Sequence, residues 1–282
     1  MRRFFCLALA VCPLSAPALA QSGPAGPGLP SAEDVLERDM VTVAGGAAYL
    51  PDYEGSDDYH FIPAVAVRGK FHHIAFMTRA TYLYVDVIPD STKFGFDFGP
   101  FAGVRKNRTG HVHDDVVDLL PDRKTAFEVG GFAGVSFHGL TNPYDTLALR
   151  FDVLHDVGNA HQSTTFSPNV DFSTPLSATT YASASVSAEF VGNRFADYYY
   201  SITPADSLAS GLPAFNADGG MKNWKASLLV NQSVTGNLLH GLSIFGTAQY
   251  SRLVGDFKRS PIVSDRGSAS QWLAAAGLAY TF

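Results

Sequence analysis

Cysteine is scarce in this chain, which has only Cys6 and Cys12 among its 282 residues. Both lie in an N-terminal segment that we predict is removed during export. The mature chain then has no disulfide, no thiol nucleophile and no cysteine-bound metal. A disulfide-stapled scaffold and a thiol enzyme are therefore excluded for the mature protein.

Positive charge is also in short supply. The chain has 20 lysines and arginines against 26 acidic residues, which is a formal net charge of −6. Removal of the N-terminal segment takes away two arginines and no acidic residue, so the charge becomes −8. A nucleic-acid partner would require a basic face, so this class of partner is disfavoured.

Long apolar runs are missing as well. Beyond the N-terminal segment, no apolar stretch has the length of a membrane-spanning helix. The mean hydropathy is only +0.05. A transmembrane barrel hides its apolar side chains in alternation with polar ones, so this modest mean is compatible with membrane insertion.

The N-terminal segment, residues 1–20, has the composition of a secretory signal peptide. Arg2 and Arg3 form its positive start, and residues 4–14 are mostly apolar but too short to span a bilayer. Ala18 and Ala20 are small residues at the two positions that signal peptidase reads, so we predict cleavage directly after residue 20.

Aromatic residues and alternation are what the chain has in quantity, with 21 Phe, 12 Tyr and 26 Gly. In the last segment, an apolar side chain stands at every second position. These positions are Trp272, Ala274, Ala276, Leu278, Tyr280 and Phe282. A strand of this period with an aromatic last residue is typical of the closing strand of a transmembrane barrel. Such a terminus also resembles the assembly address of Gram-negative outer-membrane proteins, so we predict location in the cell outer membrane.

The mature chain divides into a leader and one all-β domain. Residues 21–40 begin with a Pro- and Gly-rich stretch and are predicted to be a flexible periplasmic leader. Residues 41–282 are predicted to form a transmembrane antiparallel β-barrel of about twelve strands, with ten as the alternative. The predicted strands are 41–50, 60–69, 72–79, 81–88, 93–105, 125–138, 146–156, 165–172, 178–192, 222–233, 241–253 and 270–282.

The count depends on segment 72–88. Connections in such barrels alternate between long outside and short inside, if both termini are periplasmic. The long segment 106–124 falls on the outside only if 72–88 is two strands with a reversal near Arg79 and Ala80. We therefore favour twelve strands.

Parity assigns the two faces of the wall. In strand 146–156, the side chains predicted to face lipid are Leu147, Leu149, Phe151 and Val153. The polar side chains between them are predicted to face the lumen. The charged residues predicted inside are Asp97, Arg105, Arg150, Asp152, Asp156, Glu189 and Lys225. Buried charges need partners, so we expect these to pair with one another and with water. At this strand count the lumen should be largely filled by side chains.

Three stretches carry a family resemblance: GGAAYLPDYEGSDDY at 45–59, ITPADSLASGLPAF at 202–215 and YSRLVGD at 250–256. They resemble the MltA-interacting protein family (MipA/OmpV). With the closing strand they extend over nearly the whole mature chain, although 106–180 departs from the family pattern. The resemblance implies an outer-membrane barrel that acts as a scaffold, bringing a murein lytic transglycosylase near a peptidoglycan synthase. It implies no catalytic residue.

Two loops have side chains that could bind a metal ion. His111 and His113 would share one side of an extended strand, close to Asp114 and Asp115, and could hold a divalent ion. A solvated polar loop is the simpler interpretation. The acidic loop 52–58 lacks a full calcium-binding pattern and is likewise predicted to be solvated, facing lipopolysaccharide cations.

Catalysis finds little support in the sequence. A serine hydrolase would need a Ser–His pair with an orienting acid, and His138, His155 and Asp156 are the nearest candidates. No Gly-x-Ser-x-Gly motif is present. The tyrosines at 198–200 are predicted to join a membrane-interface belt. We predict no catalytic, cofactor-binding or metal-binding residue and no enzyme activity.

Three classes of function follow from these observations. The first is a scaffold for peptidoglycan-remodelling enzymes, surrounded by membrane lipid and lipopolysaccharide. The second is a narrow channel or small-solute uptake barrel, which the polar inward parity allows. The third is a lipid- or peptide-hydrolysing barrel.

Phe282 offers a first test. Its own packing is worth only about 1.5–3 kcal/mol. If Phe282 is read as an assembly address, Phe282→Ser should reduce the amount of barrel in the outer membrane by more than this packing explains. Outer-membrane fractionation at normal expression measures the effect, and wild-type levels of the variant would contradict it.

Overall fold

The computed structural model describes residues 30–31, 34, 38–89, 91 and 93–282. The predicted signal peptide and most of the predicted leader lie outside the described residues.

Twelve antiparallel strands form one closed barrel, in which each strand pairs with its neighbours in sequence and β1 pairs with β12. The predicted fold class and strand count are therefore confirmed, and the ten-strand alternative is wrong. The strands are β1 Met40–Pro51, β2 Tyr59–Phe71, β3 Ile74–Arg79, β4 Tyr82–Asp86, β5 Phe94–Arg105, β6 Ala126–His138, β7 Thr146–Asp156, β8 Thr164–Pro175, β9 Thr180–Val191, β10 Gly220–Ser233, β11 Gly241–Leu253 and β12 Ser270–Thr281.

The reversal predicted within 72–88 is present. It lies between β3 and β4, where Ala80 takes the left-handed conformation with a φ of 51°. Ala80 and Thr81 alone connect the two strands, so this connection is tight although it lies on the side where the alternation places the long connections.

The seam between β1 and β12 is built from glycine and alanine. Gly46 lies opposite Gly277, and a Cβ atom on Gly46 would come within 2.1 Å of the Ala276 carbonyl oxygen. The two backbones can therefore approach only without side chains at these positions. The ladder extends to the last residue, because the Phe282 N–H donates to the Val41 carbonyl at 2.9 Å.

Side chains alternate across the wall as parity predicted. Leu149 and Phe151 of β7 are exposed on the outer surface, whereas Asp152 and Asp156 of the same strand are buried inside. A soluble β-sandwich would show the reverse, with apolar side chains inside. The wall therefore presents an apolar outer surface and a polar lumen.

Aromatic side chains on the outer surface gather near both ends of the barrel. At one end, Tyr49 packs on Phe61 with ring centroids 4.8 Å apart, and Tyr250 packs on Trp272 at 4.9 Å. At the other end, Tyr280 packs on Phe282 at 4.8 Å. Two such belts are typical of a barrel that crosses a membrane.

The two ends of the barrel differ. One end, here called the turn end, has Met40 at the start of β1, Phe282 at the end of the chain, and short connections. The opposite loop end has the three longest connections, which follow β5, β9 and β11. These connections contain a 3₁₀ turn at Val117–Leu119 and the short helices α1 Asn193–Tyr200, α2 Pro204–Ser210, α3 Gly255–Arg259 and α4 Pro261–Ser264. None of the helices among the described residues has the length and apolarity to cross a membrane.

Adjacent residues of β10 test the face assignment. Leu228 points outward with 53% of its surface exposed, whereas Ser227 points to the lumen, where its hydroxyl bonds to Gln249 at 3.3 Å. Leu228→Arg should cost about 2–4 kcal/mol of folding free energy, because it places a charge near the middle of the membrane. Ser227→Arg should cost less. Folding yields in lipid vesicles compare the two, and greater damage from Ser227→Arg would show that the faces are reversed.

Candidate functional site

The loop-end connections fold into a cap with a hydrophobic core of its own. Its buried side chains come from the connections that follow β1, β5, β9 and β11 and from the last residues of β9 and β11. They are Tyr53, Val112, Val117, Leu120, Val191, Phe195, Ala196, Tyr199, Tyr200, Ile202, Leu212, Ala217, Leu253, Phe257, Ile262 and Val263. Burial of this much apolar surface makes the cap a packed layer across the end of the barrel.

Hydrogen bonds to backbone carbonyls tie the parts of the cap together. The Tyr53 hydroxyl donates to Ile262 at 3.1 Å, and the Arg108 guanidinium donates to Tyr199 at 2.6 Å. The Ser260 hydroxyl donates to Tyr200 at 2.5 Å. Each bond joins a different pair of connections, so the cap is one unit.

The predicted membrane-belt role of residues 198–200 is wrong for two of the three tyrosines. Tyr199 and Tyr200 are 0% exposed and lie in the core of the cap. They belong to α1, which also buries Phe195 and Ala196. Spacings of three and four residues are the mark of a helix with one buried face, and this signal was present in the sequence.

A layer of buried charges lies directly beneath the cap. The Lys222 ammonium is 2.6 Å from a carboxylate oxygen of Glu54 and 2.9 Å from one of Glu189. Arg105 bonds to Glu189 at 3.0 Å and to Glu128 at 3.2 Å. Because β5 and β9 are not neighbours in the wall, the Arg105–Glu189 pair must cross the lumen.

The charged layer is balanced and hydrogen-bonded throughout. Lys225 adds a third cation at 3.1 Å from Glu189, so three cations meet three carboxylates. His161, which is buried, lies 3.0 Å from Glu128, and the Tyr82 hydroxyl also donates to Glu128. The Tyr200 hydroxyl donates to Glu54 at 3.1 Å and connects the charged layer to the cap. Such satisfaction is what buried charges require.

Lys222 reaches this layer through an irregularity in β10. The pairing of β10 with β9 shifts between Met221 and Asn223, which is a β-bulge. Regular alternation would put Lys222 on the outer face with Trp224, whereas the bulge turns it inward, where it is fully buried. Parity alone does not predict this position.

The electrostatics of Glu54 follow from these contacts. Burial by itself would raise the pKa of this carboxyl, but the Lys222, Arg105 and Lys225 cations together outweigh burial, so the pKa lies below its ordinary value. Glu54 therefore stays ionised. Burial, together with the Glu54 charge, raises the pKa of the Tyr200 hydroxyl, which remains a proton donor to Glu54.

The acidic loop 52–58 is only partly the solvated loop that was predicted. Glu54 is drawn into the charged layer, and Asp52 contacts His60 at 3.4 Å and His113 at 3.3 Å. Asp57 and Asp58 are exposed. The loop after β5 is thereby held against the loop after β1. The sequence showed no sign of this contact between loops.

The residues considered for metal binding and catalysis are not brought together. His111 and His113 are exposed and bond to different acids, Asp118 and Asp52. Within the described part of the chain, no three His, Asp or Glu side chains are placed to hold a metal ion. His138 bonds to Thr146 at 3.0 Å near the turn end, and His155 bonds to Thr164 at 3.0 Å near the loop end.

A second set of charges crosses the lumen nearer its middle. Arg150 bonds to Asp152 at 2.7 Å, and Arg79 of β3 reaches Asp171 of β8 at 3.3 Å. A cavity of about 170 Å³ lies beside them, with Phe76, Met77, Tyr84 and Phe132 in its lining. The lumen is therefore crossed by side chains at two levels and is not an open tube.

The inward charges predicted by parity are largely paired as expected. Arg105, Glu189 and Lys225 meet in the charged layer, and Arg150 meets Asp152. The remaining two have other partners. Asp156 accepts backbone N–H groups of the turn that follows β7, and Asp97 accepts a hydrogen bond from Ser136 at 3.4 Å.

Comparison with protein families gives a match over most of the chain. The family model described as MltA-interacting protein MipA matches residues 43–282, which extend from β1 to the last residue. A search of curated proteins returned no match to this chain.

Comparison with solved structures finds barrels at low identity. The NanC porin is 9% identical, with a TM-score of 0.48 over 86% of this chain and 98% of its own. An outer membrane channel from Pseudomonas putida F1 is also 9% identical, with a TM-score of 0.45 over 90% and 97%. The translocator domain of autotransporter NalP from Neisseria meningitidis is 13% identical, with a TM-score of 0.38 over 89% and 92%.

Lys222 offers a test of the charged layer. Lys222→Met should destabilise the barrel by about 3–5 kcal/mol, because Glu54 and Glu189 would remain buried without their shared cation. Lys258→Met, at an exposed position of α3, is the matched control and should change stability little. The temperature at which the folded band disappears on a gel measures both. Equal effects would show that the charged layer does not hold the cap.

Proposed function

Because the chain belongs to the MltA-interacting protein MipA family, we propose that it is an outer-membrane barrel that holds peptidoglycan-remodelling enzymes in place. Its partners on this proposal are a murein lytic transglycosylase and, through it, a peptidoglycan synthase. Membrane lipid and lipopolysaccharide surround the wall. The protein then works by binding, without turning over a substrate.

The closed loop end is the observation that supports this proposal most directly. A channel needs a continuous polar path, and here the cap core and the charged layer both lie across the lumen. Opening such a path would require separating buried ion pairs, which is costly. A stable body with a sealed end suits a scaffold better than a pore.

The apolar outer surface and the two aromatic belts support placement in a membrane. In an exported protein with a predicted signal peptide, that membrane is the outer one. The loop end then faces outside, and the turn end faces the periplasm, where murein enzymes work.

The turn end offers a rigid surface beside the leader. In the connection after β6, the buried Asp145 carboxylate accepts the backbone N–H groups of Leu140, Thr141 and Asn142 at 2.7 to 3.1 Å. In the same connection, the Tyr144 hydroxyl donates to the Pro30 carbonyl at 3.0 Å. Pro30 of the leader is therefore attached to the turn end, and we assign partner binding to this surface.

The proposal is tested by direct binding. The purified mature chain should capture a purified murein lytic transglycosylase of the MltA type, as measured by biolayer interferometry. A variant lacking residues 21–39 should capture less. In parallel, vesicles that contain the protein should not swell in a small sugar, since the loop end is sealed.

Two tyrosine variants sharpen the binding test. Tyr144→Phe removes only the hydroxyl that fixes the leader at the turn end and should weaken capture. Tyr198→Phe removes a hydroxyl at the loop end, where it accepts the Lys124 N–H at 2.8 Å, and should leave capture unchanged. Steady sugar flux without enzyme capture would favour the channel alternative and overturn the scaffold proposal.

A further inference from the structure

The wall of the barrel is not equally high all around. β3 has six residues and β4 has five, whereas their neighbours β2 and β5 have 13 and 12. A strand needs about 9–11 residues to cross a membrane. The β3–β4 hairpin starts at the turn end and therefore stops short of the loop end.

Because the β3–β4 hairpin is short, the part of β2 nearer the loop end has no strand paired with it on the β3 side. The ladder between β2 and β3 runs only from Arg68 to Phe71. Just beyond it, the Thr78 hydroxyl accepts the Val67 N–H at 3.0 Å and ends the contact. On the other side, the Thr81 hydroxyl reaches the Val104 carbonyl at 2.5 Å, near the end of β5. We call the gap between β2 residues 59–66, the β3–β4 turn and the end of β5 the side notch.

The side notch lies at the level of the loop-end aromatic belt. Phe61 stands on its β2 border and is 74% exposed, and Val65 is 83% exposed. Both values reflect the absent neighbour. Phe61 also packs on Tyr49 of the belt. If the belt marks the membrane interface, the side notch opens into the outer half of the bilayer.

Unpaired backbone at this depth needs polar surroundings. Val67 directs its N–H to β3, so strand alternation directs the polar groups of Val65, Pro63 and Phe61 to the side notch. In hydrocarbon each unmet group costs several kcal/mol, and irregular backbone is tolerated there only beside water or protein. The polar groups of this edge therefore need water or other polar groups at the gap.

A partner strand is a poor occupant of the same edge. Pro63 lies in the middle of the free stretch and has no N–H to offer. Proline on an edge strand is a known device against pairing with another chain. The side notch is therefore better suited to passage than to addition of a strand.

Behind the side notch, the lumenal face of β2 is apolar and ends in a cation. Ile62, Ala64 and Ala66 share this face, and Ile62 is 38% exposed although it points inward. Arg68 follows on the same face, exposed, with its guanidinium 5.6 Å from the Tyr181 ring across the lumen. Among the described residues, no acidic side chain forms an ion pair with Arg68.

We propose that the side notch and this face of β2 form a binding site for a single-chain amphiphile with an anionic head, taken from the membrane. The alkyl chain lies along Ile62, Ala64 and Ala66, and the head binds Arg68. From Ile62 to Arg68 the strand spans about 20 Å, enough for a chain that fills one leaflet of about 15 Å. This site goes beyond the scaffold role and does not depend on it.

The test uses the full mature chain in lipid nanodiscs with dansyl-labelled undecanoic acid as the probe. Loss of one charge-assisted contact in Arg68→Gln should weaken binding roughly tenfold or more. Arg123→Gln is the matched control, because Arg123 also lies over a tyrosine, Tyr198, but in the cap. It should bind the probe like the wild type.

A second pair of variants tests the path of the chain. Ala66→Phe fills the lumenal face and should weaken binding by a similar factor, whereas Val65→Phe adds the same ring on the outer face and should not. If Ala66→Phe fails to show the mobility of a folded barrel on unheated gels, Ala64→Phe makes the same test. Unlabelled undecanoate should displace the probe, and undecanol should not.

Several outcomes would overturn the proposal. Equal probe binding in all variants would mean that the probe simply partitions into the bilayer. Displacement of the probe by undecanol would mean that the anionic head is not needed for binding. Loss of binding in Val65→Phe but not in Ala66→Phe would place the ligand outside the barrel. Capture of the transglycosylase by Arg68→Gln is measured in parallel, so failure of this site and failure of the scaffold proposal are distinguishable.

Discussion

Closure of the backbone ladder is the constraint from which the other features follow. A barrel in lipid can leave little of its strand edges unpaired, so β1 and β12 must meet, and they pair from Thr42 with Thr281 to Tyr49 with Ala274. The seam achieves this with glycine and alanine, whose small side chains let the two backbones pack closely. Once the wall is closed, each strand must turn its polar side chains inward. The interior charges then need partners across the lumen, which Arg105 and Glu189 illustrate.

The charged layer and the cap depend on each other. The cap excludes water from Lys222 and Glu189, which strengthens their attraction but makes any loss of a partner costly. In return, Glu54 and Tyr200 fix two of the loops that build the cap. Cap core and ion pairs thus share residues, and neither is an independent module. This mutual dependence explains why the loop end is closed although its connections are long.

The sequence predicts the wall better than it predicts the site. Period-two alternation and loop lengths suffice for twelve strands, because every strand repeats the same rule. The inward position of Lys222 depends on a bulge, and a shift of one residue reverses the face without changing the composition. No cap helix was predicted, although one has a signal in the sequence: Thr203 and Asp206 form a capping box, and Gly211 ends α2 with a φ of 76°. The placement of Glu54 depends on long-range contacts that no local pattern encodes.

The charged layer also has a consequence for the order in which the molecule assembles. Lys222 and Glu54 are separated by 168 positions along the chain. Contacts between such distant residues form late, since the intervening chain must first be ordered. Most of the barrel lies between these two residues, so their contact is available only when the wall has nearly closed. Until then the core of the cap lacks the side chains of its last connection, Phe257, Ile262 and Val263. A buried cap core therefore marks a completed barrel. An exposed cap core marks a barrel that is still being assembled.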